Sequence, residues 1–151
     1  MADLEALEHW VSPLLQRIEP AARTKLARTI AKDLRRSQQQ RVIAQRNPDG
    51  SPYAPRKPRQ LRGKKGRVRR KVKMFQKIRT ATYLKAVGDA SSATIGFTGR
   101  VARIARTHQE GLRDRAAVAA PTVLYEQRQL LGFTAPEAEK LKDFILSYLT
   151  E

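Results

Sequence analysis

Between Asp49 and Asp89 the chain contains no acidic residue, and from Arg56 to Lys85 it places fourteen Lys and Arg. These cations repel one another in a compact chain, with no acid among them to relieve the repulsion. Pro52, Pro55 and Pro58 lead into it and hold the backbone extended, and Gly63 and Gly66 interrupt its centre. Residues 51–73 are therefore read as a long loop or extended basic arm, a length that is uncommon unless the segment has a function or is disordered. Order is expected to resume near Met74.

The charge is also local. The net charge is +17; removing the fourteen leaves about +3 for everything else. A concentrated run of one sign points to a polyanion, either DNA, RNA or an acidic protein. The competing reading is a solvated basic loop with no such role. Aromatic residues make up only 6% of the chain and the densest stretch, residues 61–80, has only Phe75, so a base-stacking platform is not expected. Contact should fall on phosphates without base preference, through Lys64, Lys65, Arg67, Arg69, Arg70, Lys71 and Lys73.

With 151 residues, 40% of them hydrophobic, the chain suffices for one domain carrying this arm. It has no cysteine, which excludes disulfides, thiolate catalysis and cysteine zinc sites. No apolar run is long enough for a membrane span. The acidic, amphipathic start "MADLEALEHW" does not read as a secretory signal, so the cytoplasm in which the chain is made is its expected location.

The periodicity predicts α+β: N-terminal helices, the long basic loop, then a small antiparallel sheet with a packed short helix and a C-terminal helix. Leu4, Leu7, Val11, Leu14, Leu15 and Ile18 recur at helical spacing, with a bend expected at Ser12-Pro13. A second helix opens at Pro20 and extends to about Arg46. Its stripe of Leu26, Ile30 and Leu34 fades through "RRSQQQR", as in an element that needs a partner. Pro48, Asp49 and Gly50 form a turn. "KMFQKIR" reads as a short helix, "ATYLKAVG" and "SATIGF" as a hairpin, and Val123–Tyr125 as a further strand. "TGRVARIARTHQEG" is a short helix, and its Gly111 suits a left-handed C-terminal stop. Thr134 and Glu137 make a capping box for a closing helix with Leu141, Phe144, Ile145, Tyr148 and Leu149 on one face.

Catalytic candidates are thin. His108 and Glu110 are two apart and so lie on different helix faces. Asp89, Glu110 and Asp114 are isolated, where a metal-dependent nuclease would cluster its carboxylates. Neither a phosphate-binding glycine loop nor a calcium loop is present. The expectation is a non-enzyme with no metal and no cofactor, in which His108 has a structural role.

Three segments together resemble the phage virion morphogenesis family. The first is "RTKLARTIAKDLRRSQQQRVIAQRNPDGSPYAPRK", a Gln- and Arg-rich helix ending in Pro48-Asp49-Gly50 and followed by an aromatic, here Tyr53 where such proteins often have Trp. The second is "RIARTHQEG" and the third "LLGFTAPEAEKLKDFILSYL". The resemblance implies a structural part of the virion that finishes the head-proximal end of a tail so that a filled head can join. It further implies a homo-oligomeric ring, a hexamer by analogy with other neck and tail-terminator proteins, touching tail tube, tail terminator or neck and connector proteins. The end of the long helix and the arm would then meet neighbouring subunits, through Gln38, Gln39, Gln40, Arg41 and Tyr53, and the basic residues would meet packaged DNA or an acidic neighbour. A cellular nucleic-acid-binding protein using the basic 56–85 segment is the alternative.

Overall fold

The computed structural model describes residues 2–16, 18–57 and 73–150. Its helices are α1 (Ala2–Leu15), α2 (Pro20–Ile43), α3 (Val101–Glu110) and α4 (Ala135–Thr150); its strands are β1 (Leu84–Gly88), β2 (Ala93–Phe97), β3 (Arg113–Arg115) and β4 (Thr122–Leu124). The arrangement is α+β with two small antiparallel sheets.

Helix α2 organises the rest. Pro20 stands in its first turn, where a missing N–H removes no bond. Its inner face carries small residues, with Ala31 fully buried and Ala27 nearly so, and this lets β1 approach the helix backbone. Gly88 marks the closest point: a Cβ there would lie 2.4 Å from the Arg28 amide nitrogen, so any side chain would force the strand away. Strand β1 pairs with β2 in the register Leu84↔Phe97, Ala86↔Ile95 and Gly88↔Ala93. Asp89 closes the hairpin by accepting the Ser91 and Ser92 amides at 2.7 and 2.8 Å.

Two apolar clusters flank α2. Leu7 and Val11 of α1 meet Ile145 of α4, with Ile30, Leu141 and Leu149 around them. At the other end Val42, Tyr53, Met74, Ile78, Ala105 and Leu130 pack together. Helix α4 begins with the capping box: the Thr134 amide donates to Glu137 Oε2 at 2.8 Å and the Glu137 amide to Thr134 Oγ1 at 3.2 Å.

Several local expectations are corrected. Helix α1 runs through Pro13 without a break, and the Gln16 amide completes the following turn on the Ser12 carbonyl at 3.2 Å. Helix α2 stops at Ile43, short of Arg46, because Gln45 takes a left-handed φ of 58°. "KMFQKIR" forms successive turns and no helix. Phe75 has a φ of 66°, and Gln45 occupies both polar groups of the Met74 backbone, so a helical ladder cannot start there. The expected late strand is Thr122–Leu124, and it pairs with Arg113–Arg115, a strand the periodicity does not reveal.

Candidate functional site

The basic arm leaves the described structure after Lys57 and re-enters at Lys73. Of the seven expected phosphate contacts, Lys64, Lys65, Arg67, Arg69, Arg70 and Lys71 lie outside the described residues; Lys73 is described and is exposed. What the structure does describe is how both ends of the arm are fastened.

At the outgoing end, Arg128 is the clamp. It is only 5% exposed. Its Nε donates to the Ala54 carbonyl at 2.7 Å and its Nη2 to the Pro55 carbonyl at 2.9 Å, while Nη1 reaches the Glu126 carbonyl at 3.3 Å. The planar guanidinium fork suits this task, because it grips consecutive carbonyls of an extended, proline-rich segment that forms no ladder of its own. Tyr53 adds a second fastening, its hydroxyl donating to the Gln129 carbonyl at 3.1 Å. Burial pushes the Tyr53 phenol up to about 12, against the opposing pull of Arg41.

The returning end is held by glutamines. Gln45 pairs with the Met74 peptide as one amide with another: Nε2 donates to the Met74 carbonyl at 3.0 Å and Oε1 accepts the Met74 amide at 2.8 Å. Gln39 Nε2 donates to the Arg79 carbonyl at 2.8 Å. A carboxamide carries one acceptor and donors in the geometry of a peptide unit, so it can stand in for a missing strand neighbour. The two ends also meet directly, as the Tyr53 and Phe75 rings pack edge to face with centroids 5.8 Å apart.

His108 joins this root from α3. Its ring lies 4.9 Å from Phe75 and 5.0 Å from Tyr125, both edge to face. Its Nδ1 is 3.2 Å from Arg128 Nη1. Since a guanidinium can only donate, Nδ1 accepts and the proton resides on Nε2. Burial, reinforced by the positive charges of Arg128 and Arg56, brings the His108 pKa down to about 4, so the imidazole is neutral at neutral pH. Glu110 faces elsewhere and pairs with Arg106 at 3.3 Å. Gly111 ends α3 with a left-handed φ of 65°, and its amide returns to the Thr107 carbonyl.

The turn at Pro48, Asp49 and Gly50 sits at the tip of a small loop closed by the Arg46–Pro52 bridge. Asp49 Oδ1 accepts the Ser51 amide at 2.8 Å, Gly50 has a φ of 86°, and Asn47 Oδ1 accepts the Gln129 amide at 2.9 Å. The loop is thereby tied to the same 127–132 segment that supplies Arg128.

The residues expected at a subunit boundary are placed unequally. Gln38 is buried and pairs with the Gly132 peptide, donating to its carbonyl at 2.9 Å and accepting its amide at 3.1 Å. Arg41 donates to Gly132 and Leu130 carbonyls at 3.0 and 3.1 Å and lies 3.7 Å from Glu137. Burial lowers the Arg41 pKa, with Glu137 opposing. Gln40 points outward and is exposed. Arg128, Gln45 and Gln109 were not singled out by sequence reasoning. Gln109 accepts the Leu130 and Leu131 amides at 2.8 and 3.0 Å. One signal was available: Leu26, Ile30, Leu34, Gln38 and Val42 repeat at four, so Gln38 falls on the buried stripe, where an amide needs a buried partner.

Among the described residues, no group of three or more His, Cys, Asp or Glu could hold a metal ion, and no helix is long and apolar enough to cross a membrane. No solved structure matches the chain. Over 150 residues it is 37% identical to the tail completion protein S of Escherichia phage P2, covering 99% of each chain. The phage virion morphogenesis profile matches residues 2–150. On that end-to-end match, the chain belongs to the phage virion morphogenesis family.

Proposed function

We propose that this protein is a structural virion component that completes the head-proximal end of a phage tail and so allows a head to join. The observation that carries this reading is the 37% identity, from end to end, to a protein named for tail completion. In this reading the protein is a single domain with a basic arm, is made in the host cytoplasm and resides in the tail or neck. It works as a homo-oligomeric ring against tail tube, tail terminator or connector proteins, and catalyses nothing. The arm root supports an assembly role: Arg128, Gln45 and Tyr53 are engaged with backbone, and what they accomplish is to fix the two ends of a highly basic segment side by side.

The arm itself is the contact to packaged DNA. A phosphate backbone relieves the mutual repulsion of clustered cations by releasing counterions, which an apolar partner cannot do. Lys64, Lys65, Arg67, Arg69, Arg70, Lys71 and Lys73 make these contacts. Of the residues assigned to the subunit boundary, Gln40 is the one whose side chain is free to face a neighbour; Gln38, Gln39, Arg41 and Tyr53 shape that surface from behind.

Electron microscopy of tails assembled with and without the protein tests the main reading. Tails lacking it should fail to join heads; normal virions in its absence would refute the proposal. For the arm, duplex DNA binding should weaken with salt at a log–log slope of about −5, as for roughly six phosphate contacts. Changing Lys64, Lys65, Arg67 and Arg69 to Gln should flatten that slope. If particles carrying the four changes join heads and retain their DNA normally, the arm is not a DNA contact.

A further inference from the structure

Two surfaces are left unused by the folded chain. The first is the hairpin β3–β4. Its strands pack on each other and make no extensive contact with α1, α2 or α4. Its tip, Ala116 to Pro121, contains no charged residue, and Val118 there is 94% exposed, more than any other large apolar side chain described. Leu124 is 56% exposed beside it. Just below the tip, Arg113 and Arg115 are both exposed. Asp114, between them, anchors β3 on α3 through Arg103 and Thr107; three-residue strands reach about 10 Å, and the apolar tip lies beyond that anchor, flanked by the two exposed arginines.

The second is an apolar cleft between α1, α2, α4 and the β1–β2 turn. It measures about 260 Å³ and is walled by Leu7, Leu26, Ile30, Phe133, Leu141 and Ile145. A cavity smaller than this admits an aromatic ring, so the cleft has room for several small side chains. Among its lining residues Glu8 and Asp89 outnumber the single cation Arg23. An apolar tip with basic flanks and an apolar cleft with a mainly acidic rim are complementary in both polarity and sign.

We propose that the β3–β4 hairpin of one copy inserts its tip into the α1–α2–α4 cleft of a second copy. Donor and acceptor are different surfaces of the same chain, so the contact is head to tail, and repeated contacts close into a ring when the rotation permits. The proposal rests on the ring reading above and supplies the interface that reading lacks. Val118 enters the cleft, and Arg113 and Arg115 face Glu8 and Asp89.

Sedimentation of the full-length protein over a range of concentrations tests it, with two variants. Val118→Asp alters a side chain that takes no part in the chain's own core, and Ala93→Trp fills the exposed mouth of the cleft. Each alone should raise the dissociation constant of self-association about 30-fold, as for loss of a central interface residue. Mixed one to one, the two should form pairs and nothing larger, because only one productive contact then exists. Rings that persist unchanged in Val118→Asp would overturn the hairpin contact while leaving the ring reading intact. A wild-type chain that stays monomeric throughout would overturn both the ring and this interface. Full self-association by Val118→Asp with loss of tail completion would assign the hairpin to another tail protein and refute the proposal. Circular dichroism checks that both variants fold, and an unfolded variant is replaced by Val118→Ser or Ala93→Phe.

Discussion

The two apolar clusters on either side of α2 are built on different principles. The α1–α4 cluster of Leu7, Val11 and Ile145 is held by non-directional burial between helices whose backbones satisfy themselves. The cluster around Val42 and Leu130 is framed by segments with little regular structure, namely 45–57, 73–83 and 127–134. Backbone groups there have no ladder, and each buried one needs a partner. Gln38, Gln45, Gln109, Arg41 and Arg128 supply those partners from their side chains. Burial alone lets helices slide and repack; an amide that matches one peptide unit fixes a segment at one position. The arm root stands on the second kind of structure, which suits a segment whose two ends must be presented at a defined place.

The largest way to break this contrast is Arg128→Ala. It removes the donors from three carbonyls at once and leaves a cavity beside His108. Bonds from a charged donor and the orphaned carbonyls together imply a loss of about 4 kcal/mol. Urea denaturation measures it. Arg128→Lys should recover less than half, because an ammonium cannot span consecutive carbonyls as a fork does. Equal stability of the Lys and Arg proteins would show that charge, and not the fork, holds the arm.

A pH titration sharpens the comparison at somewhat smaller magnitude. The folded His108 pKa of about 4 lies below the ordinary value of 6.5. Between those values the unfolded chain binds the proton and the folded chain does not, so stability rises with pH there. The contribution is complete above about pH 6.5 and is lost as pH falls toward 4; the full shift would be worth about 3 kcal/mol, and solvent screening of the half-buried ring reduces it to about 2 kcal/mol. Replacing His108 by Gln should flatten this part of the stability profile relative to the parent. Hydrogen exchange should also show that acid loosens the Arg128 side of the molecule before the α1–α4 cluster, which contains no titrating group of this kind.

Legibility in the sequence follows the same divide. The closing helix, the 84–97 hairpin and the Gly111 terminus could be read because each rests on a local pattern: a capping box, alternation, or a left-handed glycine. Phe75 and Gln45 could not, since their positive φ values answer to partners far away in the chain. The fading stripe of α2 reads as a surface awaiting a neighbour. At its polar end Gln38 and Arg41 face the backbone of residues 130–132, while Gln40 is exposed. Nothing local distinguishes Arg128 from the other arginines; only its place opposite the carbonyls of Ala54 and Pro55 does.

The smallest prediction places one substitution in each cluster. Gln38→Leu keeps approximate volume but withdraws the acceptor from the Gly132 amide, whose carbonyl still has Arg41 as a donor. The Gly132 amide and one hydrogen of the buried Arg41 Nη2 then lose their acceptor, and the expected loss is about 2 kcal/mol. Ile145→Val removes one methylene from the other cluster, for about 1 kcal/mol. The energies are close, so the discriminating measurement is where protection is lost. In Gln38→Leu, amide exchange should accelerate at Gly132 and its neighbours by more than the global loss of stability explains, because a directional bond positioned that one peptide. In Ile145→Val, exchange should rise evenly across α1 and α4 in step with global stability, because burial positions the helices and no single amide. If both variants accelerate exchange uniformly over the molecule, the two clusters form one cooperative unit and the side-chain amides act as ordinary packing.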